Sequence, residues 1–287
     1  MSRPIVQLHS IEQWLSVDKT VQDLVLTNIK IRERLWKWLM AREVGRSMAP
    51  LTEGWAACSD CESRGWVQLH PRRPGIHPSQ MGSSCLLKIY NEMKGLQQQT
   101  AHEPRTQLIF DVGTAVHKML QNYGREGAWG PVYRAEVDIG ETETAKTLRI
   151  EGHCDGENIL VIDDIPNHDA IYEIGLVHEY KTINNNGFEG LKNRPMPKHK
   201  QQANIYSACL NRPVVAFLYL NKDNCNTADF PVPFDGASWT NLAERAAVLI
   251  SADDSNTPPA ADIGFHCKQC GYVYNCAPYL AAKGGPK

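Results

Sequence analysis

Gly152-His153-Cys154-Asp155-Gly156, followed by Ile171–Ile183 with Glu179-Tyr180-Lys181 near its end, is the stretch on which the reading of this chain turns. Residues 171–183 have the content of one or two strands. In a strand the side-chain period is two, so Glu179 and Lys181 emerge on the same face. With Asp155 at the end of a neighbouring strand, they gather hard oxygen donors beside a positive charge. Magnesium and manganese suit such donors, often one or two carboxylates together with substrate phosphate. The lysine is then placed to orient an attacking water or to stabilise a phosphoryl transition state. Taken alone, the same triple also describes a surface strand with an i,i+2 ion pair.

Outward from this stretch the pattern is mixed. Residues 131–139, 148–153 and 158–162 read as strands, and 214–220 as an apolar buried strand. Helices are expected over 8–45, 84–94, 111–123, 199–210 and 239–251, with a capping box at Thr20 and Asp23 for the first. Helix, several strands, helix, strand predicts an α/β fold with a central mixed sheet flanked by helices. On the helix upstream, Gly113-Thr114-Ala115-Val116-His117 offers an imidazole. Downstream, Gln202-Ala203-Asn204-Ile205-Tyr206 puts an amide and a phenol four apart on one helical face.

With GTAVH, GHCDG, EYK and QANIY in this order over about residues 79–280, the chain resembles the RecB-like branch of the PD-(D/E)XK nucleases. The resemblance implies a restriction-endonuclease-like core. It implies that His117, Asp155 and Glu179, with Tyr180 between the last ligand and the lysine, hold Mg2+ or Mn2+. Lys181 would be the catalytic lysine, and Gln202 and Tyr206 the helix beside the active site that supports it. The stretch from Asp155 to Glu179 is long for the family, so an extra turn or hairpin is expected over 164–170.

The nine cysteines are an odd number in a chain with no expected secretory signal, and they cluster as C-x2-C and C-x2-C-x5-C. That favours metal thiolates over disulfides. Cys267, Cys270 and Cys276 need a fourth thiolate to complete a tetrahedral zinc or an iron–sulfur cluster. The spacing is similar to the iron–sulfur branch of RecB-like nucleases, which includes AddB and the CRISPR-adaptation exonucleases. That resemblance assigns Cys85, Cys267, Cys270 and Cys276 to a structural [4Fe–4S] cluster. A rival pairing joins Cys58 and Cys61 to Cys267 and Cys270 as a zinc ribbon. Otherwise Cys58 and Cys61, with His70 and His77, are candidate Zn2+ ligands at spacings unlike the usual finger.

The 287 residues carry a net charge of −2, with 42% hydrophobic and 22% charged residues. A protein that only coats nucleic acid would be basic overall, whereas an enzyme can keep basic patches local. Two patches occur, Lys30 to Arg46 and Lys192, Arg194, Lys198 and Lys200; a solvated face is the simpler account of the first. No run is long enough to span a membrane, and a soluble cytoplasmic protein is expected. Three regions are expected: a helical segment over 1–45 that offers a protein partner a surface, a loop-rich insertion over 46–84, and a nuclease domain over 85–287. The expected function is a metal-dependent DNA exonuclease acting on single-stranded or frayed ends, with Tyr180, Trp129 and the loop 184–200 lining a base-stacking groove. The alternative is a dormant nucleic-acid-binding or assembly subunit with the same fold. An iron–sulfur redox protein fits poorly, because no flavin or nicotinamide fingerprint occurs.

Overall fold

The computed structural model describes residues 3–45, 75–83, 85–96, 104–163, 165 and 169–283. Residues 171–183 form a single strand, β4 (Ile171–Ile183), whose middle is buried on both faces. An apolar run of that kind belongs at the centre of a sheet. Among the described residues the sheet has six strands, in the order β2-β3-β4-β5-β6, with β1 also on β4. β3 (His153–Ile162) runs antiparallel to β4, from Gly156↔His178 to Ile162↔Tyr172. The other edge of β4 takes β1 (Ile5–Leu8) in parallel at Ile171–Ile174, then β5 (Val214–Asn221) in parallel from Leu176 onward. β2 (Arg134–Asp138) and β6 (Thr227–Pro233) are antiparallel outer strands. β6 carries Pro231 and Pro233, which lack an N–H and so fit an edge.

The expected mixed sheet flanked by helices is therefore present. On one face α5 (Leu86–Met93), α9 (Pro197–Leu210) and α10 (Gly236–Asp254) pack over Val177, Val215, Phe217 and Tyr219. On the other, α1 (Ile11–Ser16), α2 (Lys19–Asn28), α3 (Ile31–Gly45) and α6 (Pro104–Arg125) cover Ile174, Leu176, Tyr180 and Leu218. Short helices α4 (Pro78–Met81), α7 (Glu143–Thr147), α8 (Asn185–Gly190) and α11 (Ala277–Ala282) complete the set.

Residues 8–45 form three helices, not one. The cap of α2 is Asp18, whose Oδ1 accepts the Val21 N–H at 3.0 Å, in place of the expected box at Thr20. A carboxylate there satisfies one of the unpaired N–H groups of the first turn. Trp14, Val25, Ile29, Ile31 and Leu35 point into the core, while Trp36 and Met40 stay exposed. The basic run at the start of α3 is partly a tether. Arg34 donates to the Val161 carbonyl at 3.0 Å, and the Arg32 N–H to Asp229 Oδ2 at 3.1 Å. The link from β1 to α1 passes close over β4: a Cβ on Gly175 would stand 2.6 Å from the His9 carbonyl oxygen.

No helix among the described residues is long and apolar enough to cross a membrane. Cys58, Cys61 and His70 lie outside the described residues. His77 precedes α4, and its N–H donates to Gln80 Oε1 at 3.2 Å.

Candidate active site

Asp155 stands just beyond the last pair joining β3 to β4, Gly156↔His178, which puts it level with Glu179 across the two strands. The long interval between these carboxylates is thus absorbed by the two strands themselves. Their connection, 163–170, lies at the far end of the hairpin. Where β3 parts from β4, the Asp155 side chain takes over the ladder: its Oδ2 accepts the Tyr180 N–H at 2.6 Å. Its Oδ1 lies 2.8 Å from His117 Nδ1 and 3.5 Å from Gln121 Nε2, both on α6. Tyr133 fixes the same residue from behind, its hydroxyl donating to the Asp155 carbonyl at 3.1 Å and lying 3.0 Å from the Tyr180 hydroxyl.

Glu179 and Lys181 share the face covered by α9, as the strand period requires. Glu179 is only 2% exposed and forms an ion pair with Lys181 Nζ. Lys181 Nζ also donates to Gln202 Oε1 at 3.1 Å, and Gln202 Nε2 donates to the Tyr206 hydroxyl at 2.9 Å. An amide has one acceptor end and one donor end. An ammonium can only donate, so Lys181 takes the Oε1 end of Gln202 and leaves the amide N–H for Tyr206. Two hydrogen-bonded chains meet at β4: one runs from His117 through Asp155 to the Tyr180 N–H, the other from Glu179 through Lys181 and Gln202 to Tyr206.

Burial pushes the Glu179 carboxyl up, with the Lys181 charge pulling against it. At His117 burial works against the imidazolium, but the hydrogen bond and charge of Asp155 outweigh it, and the net shift is upward. Behind the site His178 is wholly buried, its pKa lowered by burial to about 3. Its Nε2 lies 2.9 Å from Asn158 Oδ1, and Asn158 Nδ2 donates to the Trp129 carbonyl at 2.6 Å.

These distances bring together His117, Asp155, Glu179, Lys181, Gln202 and Tyr206. Tyr180 is different: its ring is fully buried on the opposite face, so only its backbone belongs to the site. Trp129 is 1% exposed, so neither aromatic lines a base-stacking groove. Bulky rings on the inner side of the sheet were drawn into the core. The sequence reading missed Tyr133, whose contact to Asp155 crosses from the preceding strand. It also missed His199, which the three-residue spacing to Gln202 would have placed on the same helical face.

Among the described residues no three His, Cys, Asp or Glu side chains are gathered as a ready metal-binding group. Beside Asp155 and Glu179 stand the His117 imidazole and the Lys181 ammonium. The donor set still suits a divalent cation: two carboxylates, one of them buried, and an imidazole. If His117 gives its Nδ1 proton to Asp155, Nε2 keeps a lone pair for coordination.

All seven described cysteines are free. Cys85 at the start of α5 and Cys267, Cys270 and Cys276 of the tail line one pocket, with Leu87, Ile263 and Val273 among its walls. The Gly264 N–H donates to Cys267 Sγ at 3.5 Å, and Cys267 Sγ donates to the Asp262 carbonyl at 3.8 Å. Four soft donors and apolar walls match the chemistry of an iron–sulfur or zinc site.

No protein-family model and no curated protein matches the chain. Among solved structures, the crystal structure of SSO0001 is similar at 16% identity and a TM-score of 0.41, over 87% of this chain and 96% of that one. The alkaline exonuclease LHK-Exo from Laribacter hongkongensis is similar at 14% identity and a TM-score of 0.45, over 65% of this chain and 91% of that one. Its complex with dAMP gives 13% identity and 0.36, over 64% and 90%.

Proposed function

We propose that this protein is a metal-dependent nuclease that hydrolyses phosphodiester bonds of DNA, as an exonuclease on single-stranded or frayed ends. The observation that carries this reading is the juxtaposition, where β3 and β4 part, of Asp155 on the Tyr180 N–H and the neighbouring chain of Glu179, Lys181 and Gln202. A structural ion pair would need neither the second carboxylate nor an amide aimed at the lysine.

Asp155, Glu179 and His117 are the residues that would hold Mg2+ or Mn2+. A divalent cation in such a site supplies neutralisation of phosphate charge and acidification of water. The chain itself supplies the rest. Lys181 Nζ, held between Glu179 and Gln202, is a fixed positive group for the charge that develops on phosphate. Tyr206 accepts the amide proton of Gln202 that the lysine leaves free, and the Tyr180 N–H keeps Asp155 in place. Cys85, Cys267, Cys270 and Cys276 are proposed to hold a [4Fe–4S] cluster that fastens the tail to α5.

The test is digestion of end-labelled single-stranded DNA with Mg2+ or Mn2+, by protein purified without oxygen. Progressive shortening is expected from wild type. Glu179→Ala and Lys181→Ala should cut about a hundredfold to a thousandfold more slowly while still folding, with Lys181→Ala less stable because it leaves the buried Glu179 without its partner. Intact DNA with folded wild type would move the assignment to a dormant binding subunit.

A further inference from the structure

His199 lies on α9, one turn before Gln202 and two before Tyr206, on the face that covers Glu179 and Lys181. Its Nδ1 is 2.7 Å from the hydroxyl of Tyr219, a fully buried residue that sits opposite Lys181 in the β4–β5 register. The same hydroxyl accepts the Met196 N–H at 3.2 Å. A phenol has one proton to give. If Nδ1 carried a proton, the Tyr219 proton would be left in the core without an acceptor, which is costly. The arrangement that satisfies every group has Tyr219 donating to Nδ1, so the imidazole proton sits on Nε2.

Protonation of the second nitrogen is resisted. Burial and the charges of Lys181 and Lys198 lower the pKa of His199 to about 3. Nε2–H makes no hydrogen bond to another described residue, and the ring is only partly buried. Lys192, Arg194, Lys198 and Lys200, all exposed, flank it in the sequence, and the charge of Lys198 reaches it. These four form the second basic patch of the sequence. A neutral N–H within reach of the Lys181 and Lys198 charges suits a phosphate oxygen better than a base or a metal ion.

We infer that His199 is a substrate-binding residue whose Nε2–H donates to a non-bridging oxygen of a backbone phosphate next to the scissile bond. The inference rests on the nuclease reading above. It adds a donor that sets where along the strand the cut falls. Tyr219 is the positioning residue that fixes the tautomer.

Two substitutions separate this role from a structural one. His199→Asn can still accept from Tyr219 near the Nδ1 position but loses the outer donor. His199→Gln puts an amide N–H near the position of Nε2 and gives up the bond to Tyr219. Binding of a fluorescein-labelled oligothymidylate would be followed by anisotropy in EDTA, and its cleavage in Mg2+. His199→Asn should weaken binding and raise KM about tenfold or more, with little change in kcat and none in the unfolding midpoint. His199→Gln should recover most of that loss. Replacing single phosphates by methylphosphonates should find one position where wild type loses affinity and His199→Asn loses no more. The opposite order, with Asn like wild type and Gln impaired, would show that only the Tyr219 bond matters and would overturn the inference. Should wild type bind but never cut, the nuclease reading fails while the anisotropy series still decides the role of His199.

Discussion

Gly156 follows Asp155 where β3 leaves β4, and the space beside it belongs to another side chain. A Cβ there would lie 2.5 Å from Tyr133 Cζ. The ring cannot retreat without giving up its hydroxyl contacts to the Asp155 carbonyl and to Tyr180. Gly156→Ala is therefore expected to cost about 1–3 kcal/mol of stability, as overpacking in a filled interior does. It should also slow cleavage, because Asp155 is displaced with the ring. Tyr133→Phe separates the two effects: it keeps the ring and removes the hydroxyl, so it should lower activity with the smaller loss of stability. Urea unfolding alongside DNA digestion measures both, and a Gly156→Ala protein with wild-type stability would disprove the packing argument. Neither contact was legible in the sequence. Gly-His-Cys-Asp-Gly announces a turn or a strand end, but not which ring crosses over the glycine.

At the scale of the element, β1 and α1 show how a short segment can matter without a strong pattern. β1 is only four residues, and it pairs with β4 residues more than 160 positions away, from Ile5↔Ile171 to Leu8↔Ile174. Its neighbour Trp14 is 1% exposed and belongs to the same core as Ile174 and Tyr180. Trp14→Ala should destabilise the whole protein by about 3–5 kcal/mol, the range for emptying a large buried aromatic site. A urea midpoint unchanged by that substitution would mean that residues 3–45 are an independent appendage. β4 and β5 were readable as apolar runs bounded by turn residues, and α9 and α10 by their length and apolar spacing. β1 and β6 were not: one is too short to show alternation, and the other is half-buried and broken by Pro231 and Pro233. The residues that meet at the site were readable from short motifs rather than from burial. The expected extra turn or hairpin over 164–170 includes residues 164 and 166–168, which lie outside the described residues, and nothing local in the sequence reveals that the strands on either side pair over seven positions.

For the molecule as a whole, the question is what holds the tail. Segment 85–96 and residues 253–276 are far apart in sequence and adjacent in space. Lys94 pairs with Asp253 at 2.6 Å, and the Tyr272 hydroxyl donates to the Leu96 carbonyl at 2.9 Å. The four cysteines line the pocket between them. Cross-linking such distant segments restricts the unfolded chain most when the closed loop is long. The ion pairs of Asp253 with Lys94 and Arg149 lie at the end of α10, outside the cysteine-bearing tail, and are partly exposed; such pairs contribute little individually. Loss of a cluster should therefore loosen the tail first and leave the sheet folded. Protein purified without oxygen is expected to be brown and to contain iron and sulfide in equal amounts. Air oxidation with a chelator, or Cys276→Ser, should remove the colour and open a new tryptic site after Lys268, while the segment spanning β3 to α10 stays resistant. A colourless wild type loaded with zinc would replace the cluster by a zinc site. An iron-bearing protein whose tail is no less protected after iron loss would show that Tyr272 and its apolar neighbours alone hold the tail in place.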